Sequence, residues 1–336
     1  MKSIRIAING FGRIGRSFFR EAFGMADFDI VAVNDLTDAK TLAYLLKYDS
    51  VYGRYKRSVE ARDKALAVDG KEVRVFAEKD PAGLPWRDLG VDIVIEATGA
   101  FASDKKSKPH LEAGAKRVVI TAPATGEVTT ALIGVNDDRF QDPLPITCNA
   151  SCTTNSVAPV MKILLERLGV KKSGMVTVHG YTASQKLVDS PDAKDLRRGR
   201  AAAVNIVPST TGAAEAVIQA IPELEGKFDA VAIRVPTISG SYSVVTTLVE
   251  KKTSIEEVND IFRQAAQEAR WAKIIKVTDE PLVSSDILGE PYGAIVDLAL
   301  TKVVDGDLVK VFSWYDNEAG YTATLIEHVR RVAALL

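Results

Sequence analysis

Cysteine is almost absent from this chain of 336 residues, which contains only Cys148 and Cys152. Two cysteines four residues apart cannot supply the disulfide framework of a small secreted protein. Excess charge is also missing, because 43 Lys and Arg residues oppose 44 Asp and Glu residues and leave a net charge of −1. This balance gives no global attraction to nucleic acid or to anionic membranes. We therefore expect neither as a partner, and we expect a cytoplasmic protein.

Long hydrophobic runs are missing as well. The longest stretch without a charged residue, 143–161, is rich in Thr, Ser, Asn and Pro and is not a membrane span. The chain from Met1 leads directly into a strand-like run without a signal-peptide pattern. An apolar fraction of 46% and a charged fraction of 26% are typical of globular proteins. The length predicts about two domains.

Strand and helix signals alternate in the first half of the chain. Short runs that are apolar throughout are separated by helix-like stretches, and this pattern is typical of a parallel sheet covered on both faces. The sequence therefore predicts a doubly wound α/β domain over residues 1–151. Its strand-like runs are 4–8, 30–33, 93–95 and 118–120, and its helix-like stretches are 13–25, 41–48 and 105–115.

The pattern changes after residue 150. A predicted helix at 157–168 is followed by longer strands, at 175–178, 231–235 and 243–248, in which apolar and polar residues alternate. Ser254 and Glu257 form a capping box before another helix. We predict an α+β domain over 152–316 with a large mixed or antiparallel sheet. The C-terminal helix, within 317–336, is expected to join the first domain.

A glycine motif of the form G-x-G-x-x-G follows the first strand and opens the first helix. Gly10 allows a tight turn, Gly12 lets the backbone approach a pyrophosphate, and Gly15 lets helix and strand pack closely. The second strand ends at Asn34 and Asp35, where a carboxylate can accept hydrogen bonds from ribose hydroxyls and repel a 2′-phosphate. A glycine-rich turn beside a strand-end acid is the alternative interpretation. The combined pattern favours a Rossmann-type site for NAD.

The segment around Cys152 leaves two interpretations open. A position near a helix N-terminus lowers a thiol pKa, and the polar neighbours argue against apolar burial, so Cys152 could be an activated nucleophile. His179 is the only histidine in a strand-like run and is its candidate base, whereas His110 and His328 are predicted to lie at the surface. The alternative is a buried structural cysteine. A metal site is disfavoured because no histidines cluster with the cysteines.

Basic residues concentrate between 194 and 200. A solvated loop is the default interpretation, and an anion site is the alternative. Thr211 and Gly212 open a helix whose first N–H groups could bind phosphate. Arg234 ends an apolar strand that we expect to run beside the strand ending at His179. An arginine in that position needs an anionic partner.

Together these segments resemble phosphorylating glyceraldehyde-3-phosphate dehydrogenases. The resemblance runs from about residue 4 to about residue 330, and its motifs occur in order at 8–16, 150–155, 179–186, 197–202, 209–214, 234–237 and 314–318. It implies NAD-dependent oxidation and phosphorylation of D-glyceraldehyde 3-phosphate to 1,3-bisphosphoglycerate in glycolysis. Hemithioacetal and thioester intermediates on Cys152 and a homotetramer are also implied. Inorganic phosphate would be the second substrate.

The resemblance also implies residue roles. Cys152 would be the nucleophile and His179 its base. Cofactor contacts are implied for Gly10, Gly12, Arg13, Ile14, Gly15, Asn34, Asp35, Lys79, Thr98, Thr121, Asn317 and Tyr321. Substrate or phosphate contacts are implied for Ser151, Thr153, Thr182, Arg198, Thr211, Gly212 and Arg234. Two alternatives remain: an erythrose-4-phosphate dehydrogenase, which turnover on both aldehydes would distinguish, and a non-catalytic NAD-binding protein, which the intact Cys152 and His179 disfavour.

Overall fold

The computed structural model describes residues 3–193 and 195–336 and divides the chain into two compact units. Unit 1 comprises Met1–Leu132, Asp137–Ala150 and Leu325–Leu336, and unit 2 comprises Ile133–Asn136 and Ser151–Thr324. Two boundaries differ from the predicted ranges. Ile133–Asn136 belongs to unit 2, although it was predicted to lie in the first domain. The C-terminal boundary between the units falls after Thr324, inside the last helix. Lys194, in the predicted basic segment, lies outside the described residues.

Unit 1 is built on a nine-stranded sheet. Its strand order is β3-β4-β5-β2-β1-β6-β7-β9-β8, with all neighbours from β5 to β8 parallel and β3 and β4 antiparallel at one edge. The predicted doubly wound parallel sheet is therefore confirmed. The elements are β1 Ile4–Asn9, α1 Arg13–Ala22, β2 Phe28–Asn34, α2 Ala39–Lys47, β3 Val59–Arg62, β4 Ala65–Val68, β5 Lys71–Phe76, β6 Ile93–Glu96, α3 Asp104–Glu112, β7 Arg117–Ile120, β8 Thr129–Thr130 and β9 Ile146–Cys148.

Unit 2 is built on an eight-stranded mixed sheet. The order is β11-β12-β10-β13-β17-β15-β14, with β16 paired to β17; β10 with β12 and β14 with β15 are parallel, and the other pairs are antiparallel. A mixed sheet was one of the two predicted forms. The elements are α4 Cys152–Leu168, β10 Val170–Gly180, β11 Val207–Ser209, α5 Ala213–Ala220, β12 Phe228–Val235, β13 Ser241–Val249, α6 Ile255–Gln267, β14 Ile275–Thr278, β15 Ala294–Asp297, β16 Lys302–Val304 and β17 Leu308–Tyr315.

Helix boundaries follow local chemistry. α1 ends at Ala22, short of the predicted end, because Gly24 adopts a φ of +88° that a helix cannot continue through. α6 begins after Ser254, whose side chain accepts a hydrogen bond from the backbone N–H of Glu257 as the capping box predicts. The last helix, α7 Ala319–Ala333, spans the division between the units. Across the described residues, the helices include none long and apolar enough to cross a bilayer.

Strand register in unit 2 brings two predicted site residues side by side. β10 and β12 pair in parallel with His179 opposite Arg234. The expectation that these two strands run together is confirmed. Neighbouring residues on parallel strands project to the same face of the sheet, so the imidazole and the guanidinium can meet.

The prediction that His110 and His328 lie at the surface is wrong. Both histidines are fully buried. The Nδ1 atom of His328 donates to the carbonyl of Ala131 at 3.1 Å, and its Nε2 atom accepts from the Thr147 hydroxyl at 2.7 Å. Burial lowers the pKa of His328 to about 4. The charged residues flanking each histidine occupy the outer helix face and concealed this in the sequence.

Acidification should destabilise the protein through His328. The folded state holds this side chain neutral, whereas the unfolded chain binds its proton near the ordinary histidine pKa of about 6.5. The contribution of His328 to the free energy of unfolding is therefore fully present above pH 6.5. It is lost as the pH drops toward the folded-state pKa of about 4, with a loss of about 2 kcal/mol between pH 6.5 and pH 5. Urea unfolding across this window measures the slope. His328→Gln, which does not titrate, should reduce the slope by this contribution, while His179, whose pKa burial lowers to about 3, keeps a slope of its own. An unchanged slope would contradict the assignment.

Candidate functional site

A cavity of about 460 Å³ lies in unit 1 beside residues that end or follow β1, β2 and β6. Since β2 and β6 flank β1 on opposite sides, this is the switch point of the sheet, where ligands bind in doubly wound folds. Six predicted cofactor residues line it: Gly10, Gly12, Asn34, Asp35, Lys79 and Thr98. The sequence reasoning missed the other lining residues, which are Asn9, Leu36, Glu78, Ala97, Ala100 and Phe101.

The three glycines of the loop have different spatial constraints. Gly10 has a φ of +92°, and a Cβ there would lie 2.6 Å from the backbone nitrogen of Thr98. A Cβ on Gly15 would lie 2.1 Å from the carbonyl oxygen of Gly10. A Cβ on Gly12 would meet nothing within 4 Å. Gly12 therefore keeps space open at the start of α1, where a pyrophosphate could approach the helix N-terminus.

Two alanine substitutions should separate folding from cofactor binding. Gly12→Ala should leave the melting temperature nearly unchanged, because its Cβ meets no atom, but should weaken NAD binding at least about tenfold by filling the space of the pyrophosphate. Gly15→Ala should weaken NAD binding and, unlike Gly12→Ala, also lower the melting temperature, because α1 cannot then pack on Gly10. Thermal unfolding and NAD titration of both variants test this. Equal NAD affinity in Gly12→Ala and the unmodified chain would contradict it.

Asp35 is held at the wall of the cavity. Its carboxylate accepts hydrogen bonds from the backbone N–H groups of Phe11 at 2.9 Å and Thr37 at 3.0 Å. One bond ties the end of β2 to the glycine loop, so the carboxylate is positioned before any ligand binds. A fixed negative charge there suits ribose hydroxyls and opposes a 2′-phosphate.

The remaining predicted cofactor residues do not line this cavity. Arg13 pairs with Asp49, and the Thr121 hydroxyl donates to the carbonyl of Glu96 at 3.1 Å. Ile14 and Gly15 lie within α1. Asn317 and Tyr321 belong to unit 2.

The side-chain amide of Asn317 is oriented by unit 2 itself. Its Oδ1 atom accepts from the backbone N–H of Gly240 at 3.0 Å and from the Ser241 hydroxyl at 3.1 Å. A weaker contact from the Ser239 hydroxyl lies at 3.4 Å. These donors fix which end of the amide is oxygen and direct its nitrogen away from Gly240.

Cys152 and His179 meet in unit 2. Cys152 is the first residue of α4, and Ser151 caps that helix by accepting a hydrogen bond from the backbone N–H of Thr154. The Cys152 sulfur lies 3.4 Å from Nε2 of His179, which is at the end of β10. This is hydrogen-bond distance for a thiol, so a proton can pass between the two groups.

Burial dominates the protonation of this pair. It raises the pKa of the Cys152 thiol, and the charge of Arg234 and hydrogen bonding from Thr153 lower that pKa by less. The expectation of a lowered thiol pKa is therefore wrong, because desolvation outweighs the nearby cation. Burial, with a smaller contribution from Arg234, lowers the pKa of His179 to about 3. The structure thus holds a thiol beside a neutral imidazole.

The second nitrogen of His179 has two competing neighbours. Nδ1 lies 2.6 Å from the carbonyl oxygen of Gly180 and 2.5 Å from Nη1 of Arg234. A proton on Nδ1 satisfies Gly180 and leaves the Nε2 lone pair facing Cys152. A proton on Nε2 instead lets Nδ1 accept from Arg234. The contact with Arg234 therefore influences whether His179 can act as a base.

Two guanidinium groups in unit 2 each have a buried N–H group that makes no hydrogen bond to the described residues. The Nε atoms of Arg198 and Arg234 are buried and make no hydrogen bond within the described part of the chain. The charge of Arg198 also adds to the burial that lowers the pKa of Arg234. The Nε atom of Arg198 also lies 3.7 Å from the carboxylate of Asp195 in an ion pair. Two neighbouring cations whose Nε donors make no hydrogen bond are suited to binding an anion.

The predicted hydroxyl ligands are already engaged within unit 2. The Thr153 hydroxyl contacts that of Tyr315 at 3.1 Å, Thr182 donates to Gln185 at 3.1 Å, and Thr211 accepts from the backbone N–H of Ala213 at the start of α5. Gly212 is the residue before that helix. These contacts would have to rearrange or be shared for the hydroxyl groups to bind phosphate.

Sequence reasoning missed Tyr315. It is buried at the end of β17, and its hydroxyl lies 3.1 Å from that of Thr153 and 2.8 Å from that of Thr177. Its ring meets the His179 ring edge to face at 5.9 Å between centroids. Tyr315 therefore holds α4, β10 and the imidazole in fixed relation. The sequence signals for it were its place in the motif at 314–318 and the inward-facing alternation of β17.

Comparisons with known proteins match two ranges of the chain to one family. Residues 4–104 match a family model described as glyceraldehyde 3-phosphate dehydrogenase, NAD binding domain, and residues 151–317 match the C-terminal domain of the same family. A glyceraldehyde-3-phosphate dehydrogenase from Thermotoga maritima is 56% identical over 325 residues, which cover 96% of this chain and 97% of that protein. Its counterpart from Geobacillus stearothermophilus is 48% identical, covering 99% of both chains. This chain therefore belongs to the glyceraldehyde-3-phosphate dehydrogenase family.

Proposed function

We propose that this protein is an NAD-dependent, phosphorylating glyceraldehyde-3-phosphate dehydrogenase of glycolysis, with Cys152 as nucleophile and His179 as base. The observation that carries the assignment of roles is the Cys152 sulfur 3.4 Å from Nε2 of His179, with Arg234 on the other side of the imidazole. Family membership supports the overall reaction and the cofactor. It does not favour the erythrose-4-phosphate or non-catalytic alternatives.

The first step joins the aldehyde to the protein. As the sulfur of Cys152 attacks the carbonyl carbon, its proton passes to Nε2 of His179, which is neutral and so has a lone pair to accept it. Nε2 then gives this proton to the former aldehyde oxygen, so the product is a neutral hemithioacetal on Cys152 and His179 can again accept a proton. The backbone N–H groups at the start of α4 lie beside the reacting sulfur and are suited to stabilise the developing oxyanion.

The cofactor site fits NAD by its shape and charge. The open space at Gly12 and the fixed carboxylate of Asp35 suit the pyrophosphate and the adenosine ribose. The family resemblance assigns the nicotinamide carboxamide to Asn317, whose amide is oriented by donors of unit 2. NAD, when bound, accepts the hydride that turns the hemithioacetal into a thioester. His179 accepts the hydroxyl proton released in that oxidation.

Phosphate completes the reaction. An oxygen of inorganic phosphate attacks the thioester carbon and the C–S bond breaks. The acyl phosphate leaves as the Cys152 sulfur takes back the proton that His179 accepted in the oxidation. Arg198 would hold this incoming phosphate and Arg234 the phosphate of the substrate. A substrate phosphate that draws Arg234 away from His179 would also favour the proton on Nδ1, which leaves Nε2 free to act as the base.

Absorbance of the reduced nicotinamide tests the proposal directly. Protein mixed with NAD, phosphate and glyceraldehyde 3-phosphate should turn over continuously. Omission of phosphate should leave a burst of about one reduced nicotinamide per Cys152, because the thioester then accumulates. Continuous turnover without phosphate would exclude the phosphorylating reaction. Catalytic efficiency with erythrose 4-phosphate, measured in the same assay, should be lower.

We also propose that the protein is a homotetramer. Five large apolar side chains between residues 187 and 206 of unit 2 are exposed by 66–85%: Leu187, Val188, Leu196, Val204 and Ile206. Exposed apolar side chains concentrated in one segment of the chain favour a protein contact there. A second copy of the chain is the partner expected from the family resemblance.

Charged substitutions in this segment should reduce the molecular mass in solution. The double variant Leu187→Asp/Leu196→Asp would place two carboxylates in the contact and should dissociate the assembly into smaller species. Val283→Asp is the matched control, because Val283 is an exposed apolar residue of unit 2 outside the segment. Light scattering after gel filtration measures each mass. A double variant with the mass of the unmodified protein would show that this segment is not the contact.

A further inference from the structure

A buried network of polar side chains lies beside the dinucleotide cavity. Asn9 donates to Oε2 of Glu96 at 2.5 Å, and Nε2 of His110 lies 3.1 Å from the same oxygen. The indole N–H of Trp86 donates to Nδ1 of His110 at 3.0 Å. All four side chains are at most 1% exposed. The proposed mechanism uses none of them.

One end of the network has its polarity fixed by the backbone. The Oδ1 atom of Asn34 accepts from the backbone N–H of Glu78 at 2.9 Å, and its Nδ2 atom donates to the Glu78 carbonyl at 2.9 Å. The amide of Asn34 can therefore adopt only one orientation. Its Nδ2 also donates to Oδ1 of Asn9 at 2.7 Å, so the Nδ2 of Asn9 must face Glu96 as a donor.

The other end is fixed by Trp86. An indole nitrogen can only donate, so Nδ1 of His110 must accept and carries no proton. The proton of a neutral His110 is then on Nε2, which donates to Glu96. Nδ2 of Asn9, 3.3 Å from this nitrogen, is a second donor to the same carboxylate oxygen. A second proton would place an N–H of His110 against that of Trp86.

The Glu96 carboxylate accepts the remaining hydrogen bonds of the network. The backbone N–H of Thr98 donates to Oε1 at 2.9 Å, and the Thr98 hydroxyl donates to the same oxygen. With Asn9 and His110 on Oε2, four donors occupy the two carboxylate oxygens. The three N–H donors cannot reverse, and the Thr98 hydroxyl already accepts from the backbone N–H of Ala100. This set of donors favours an ionised Glu96 beside a neutral His110.

We propose that the Glu96 carboxylate is a positioning group for NAD, held as an anion by Asn9, Thr98 and His110. It joins the end of β1 to the turn after β6, and a Cβ on Gly10 would lie only 2.6 Å from the Thr98 nitrogen that Glu96 holds. Asn9, Asn34 and Thr98 line the cavity itself. The inference rests on NAD binding by this unit, as the proposed function requires.

The substitution Glu96→Gln tests the charge with almost no change in shape. Glutamine replaces one carboxylate oxygen with an NH2 group, which then faces the hydrogen-bond donors that the oxygen had accepted from. NAD affinity should therefore fall at least about tenfold, while kcat at saturating NAD should stay within about threefold. Glu112→Gln, the same change at a position outside the network in α3, should alter neither. Equal NAD affinity in Glu96→Gln and the unmodified chain would overturn the proposal. Failure of the unmodified chain to bind NAD would instead overturn the proposed function.

A second substitution tests the polarity of the network. Trp86→Phe removes the indole donor, so His110 can move its proton to Nδ1 and accept at Nε2 from the side-chain amide that Glu96→Gln introduces. The double variant Glu96→Gln/Trp86→Phe should therefore bind NAD several-fold more tightly than Glu96→Gln alone. If the losses of NAD affinity in the two single variants simply add in the double variant, the proposed polarity is wrong. Independent structural damage would give that additive result and would not restore affinity.

A spectroscopic measurement covers the case in which Glu96→Gln does not fold. The chain has three histidines, so ¹⁵N-histidine labelling gives a spectrum that His179→Asn and His328→Gln samples can assign. In the unmodified protein the spectrum should show His110 with a proton on Nε2 and none on Nδ1. A proton on Nδ1, or on both nitrogens, would overturn the proposal whatever the variants do.

Discussion

Replacement of Cys152 by serine should abolish turnover while NAD still binds. A serine hydroxyl is a far weaker nucleophile than a thiol at neutral pH, and the neutral imidazole of His179 cannot offset that difference. We expect a loss of at least about a thousandfold in kcat. NAD affinity should change little, because the cavity in unit 1 is built from other residues. Steady-state turnover and NAD titration of the same preparation measure the two effects.

The matched control is Cys148→Ser. Cys148 is fully buried at the end of β9, where its sulfur lies 3.3 Å from the Thr130 hydroxyl. Burial raises the pKa of its thiol, so it is protonated and unreactive. Serine keeps the contact with Thr130, and activity should remain. A folded but inactive Cys148→Ser protein would mean that the reaction has more than one essential thiol.

Sequence patterns predicted the two sheets because both depend on periodicity. They placed the start of α4 five residues too late, because Thr153, Thr154, Asn155 and Ser156 have weak helix propensity. Tertiary burial of these residues overrides that propensity, and Asn155 donates from its side chain to the Ser151 carbonyl at 3.0 Å. Cys152 is consequently the first residue of the helix itself.

The sequence could not predict protonation. A helix N-terminus beside Cys152 is visible as a pattern, but the burial that raises its pKa comes from residues far apart in the chain. His110 likewise sits among lysines in sequence, while its hydrogen-bond partners, Trp86 and Glu96, are 24 and 14 residues away. Local charge describes the outer face of a helix and carries no information about its inner face. For both Cys152 and His110, contacts with residues far away in the sequence determine the surroundings of the side chain.

Arg234→Leu should distinguish phosphate binding from base control. Catalytic efficiency with glyceraldehyde 3-phosphate should fall between about tenfold and a hundredfold, the range for one lost hydrogen-bonded charge. Unphosphorylated glyceraldehyde should be affected less than about threefold, because two consequences oppose each other. Loss of the guanidinium raises the pKa of the Cys152 thiol, which slows attack. It also removes the donor 2.5 Å from Nδ1 of His179, which favours the proton arrangement that leaves Nε2 free.

Arg234→Lys is the control for charge alone. A lysine keeps the positive charge but cannot form a two-pronged contact with phosphate, so its efficiency with glyceraldehyde 3-phosphate should lie between those of the leucine variant and the unmodified protein. Catalytic efficiencies on both aldehydes, measured with folded protein, decide between the roles. Equal losses on the two aldehydes in Arg234→Leu would mean that this residue acts through His179 and Cys152, and that the substrate phosphate is held elsewhere.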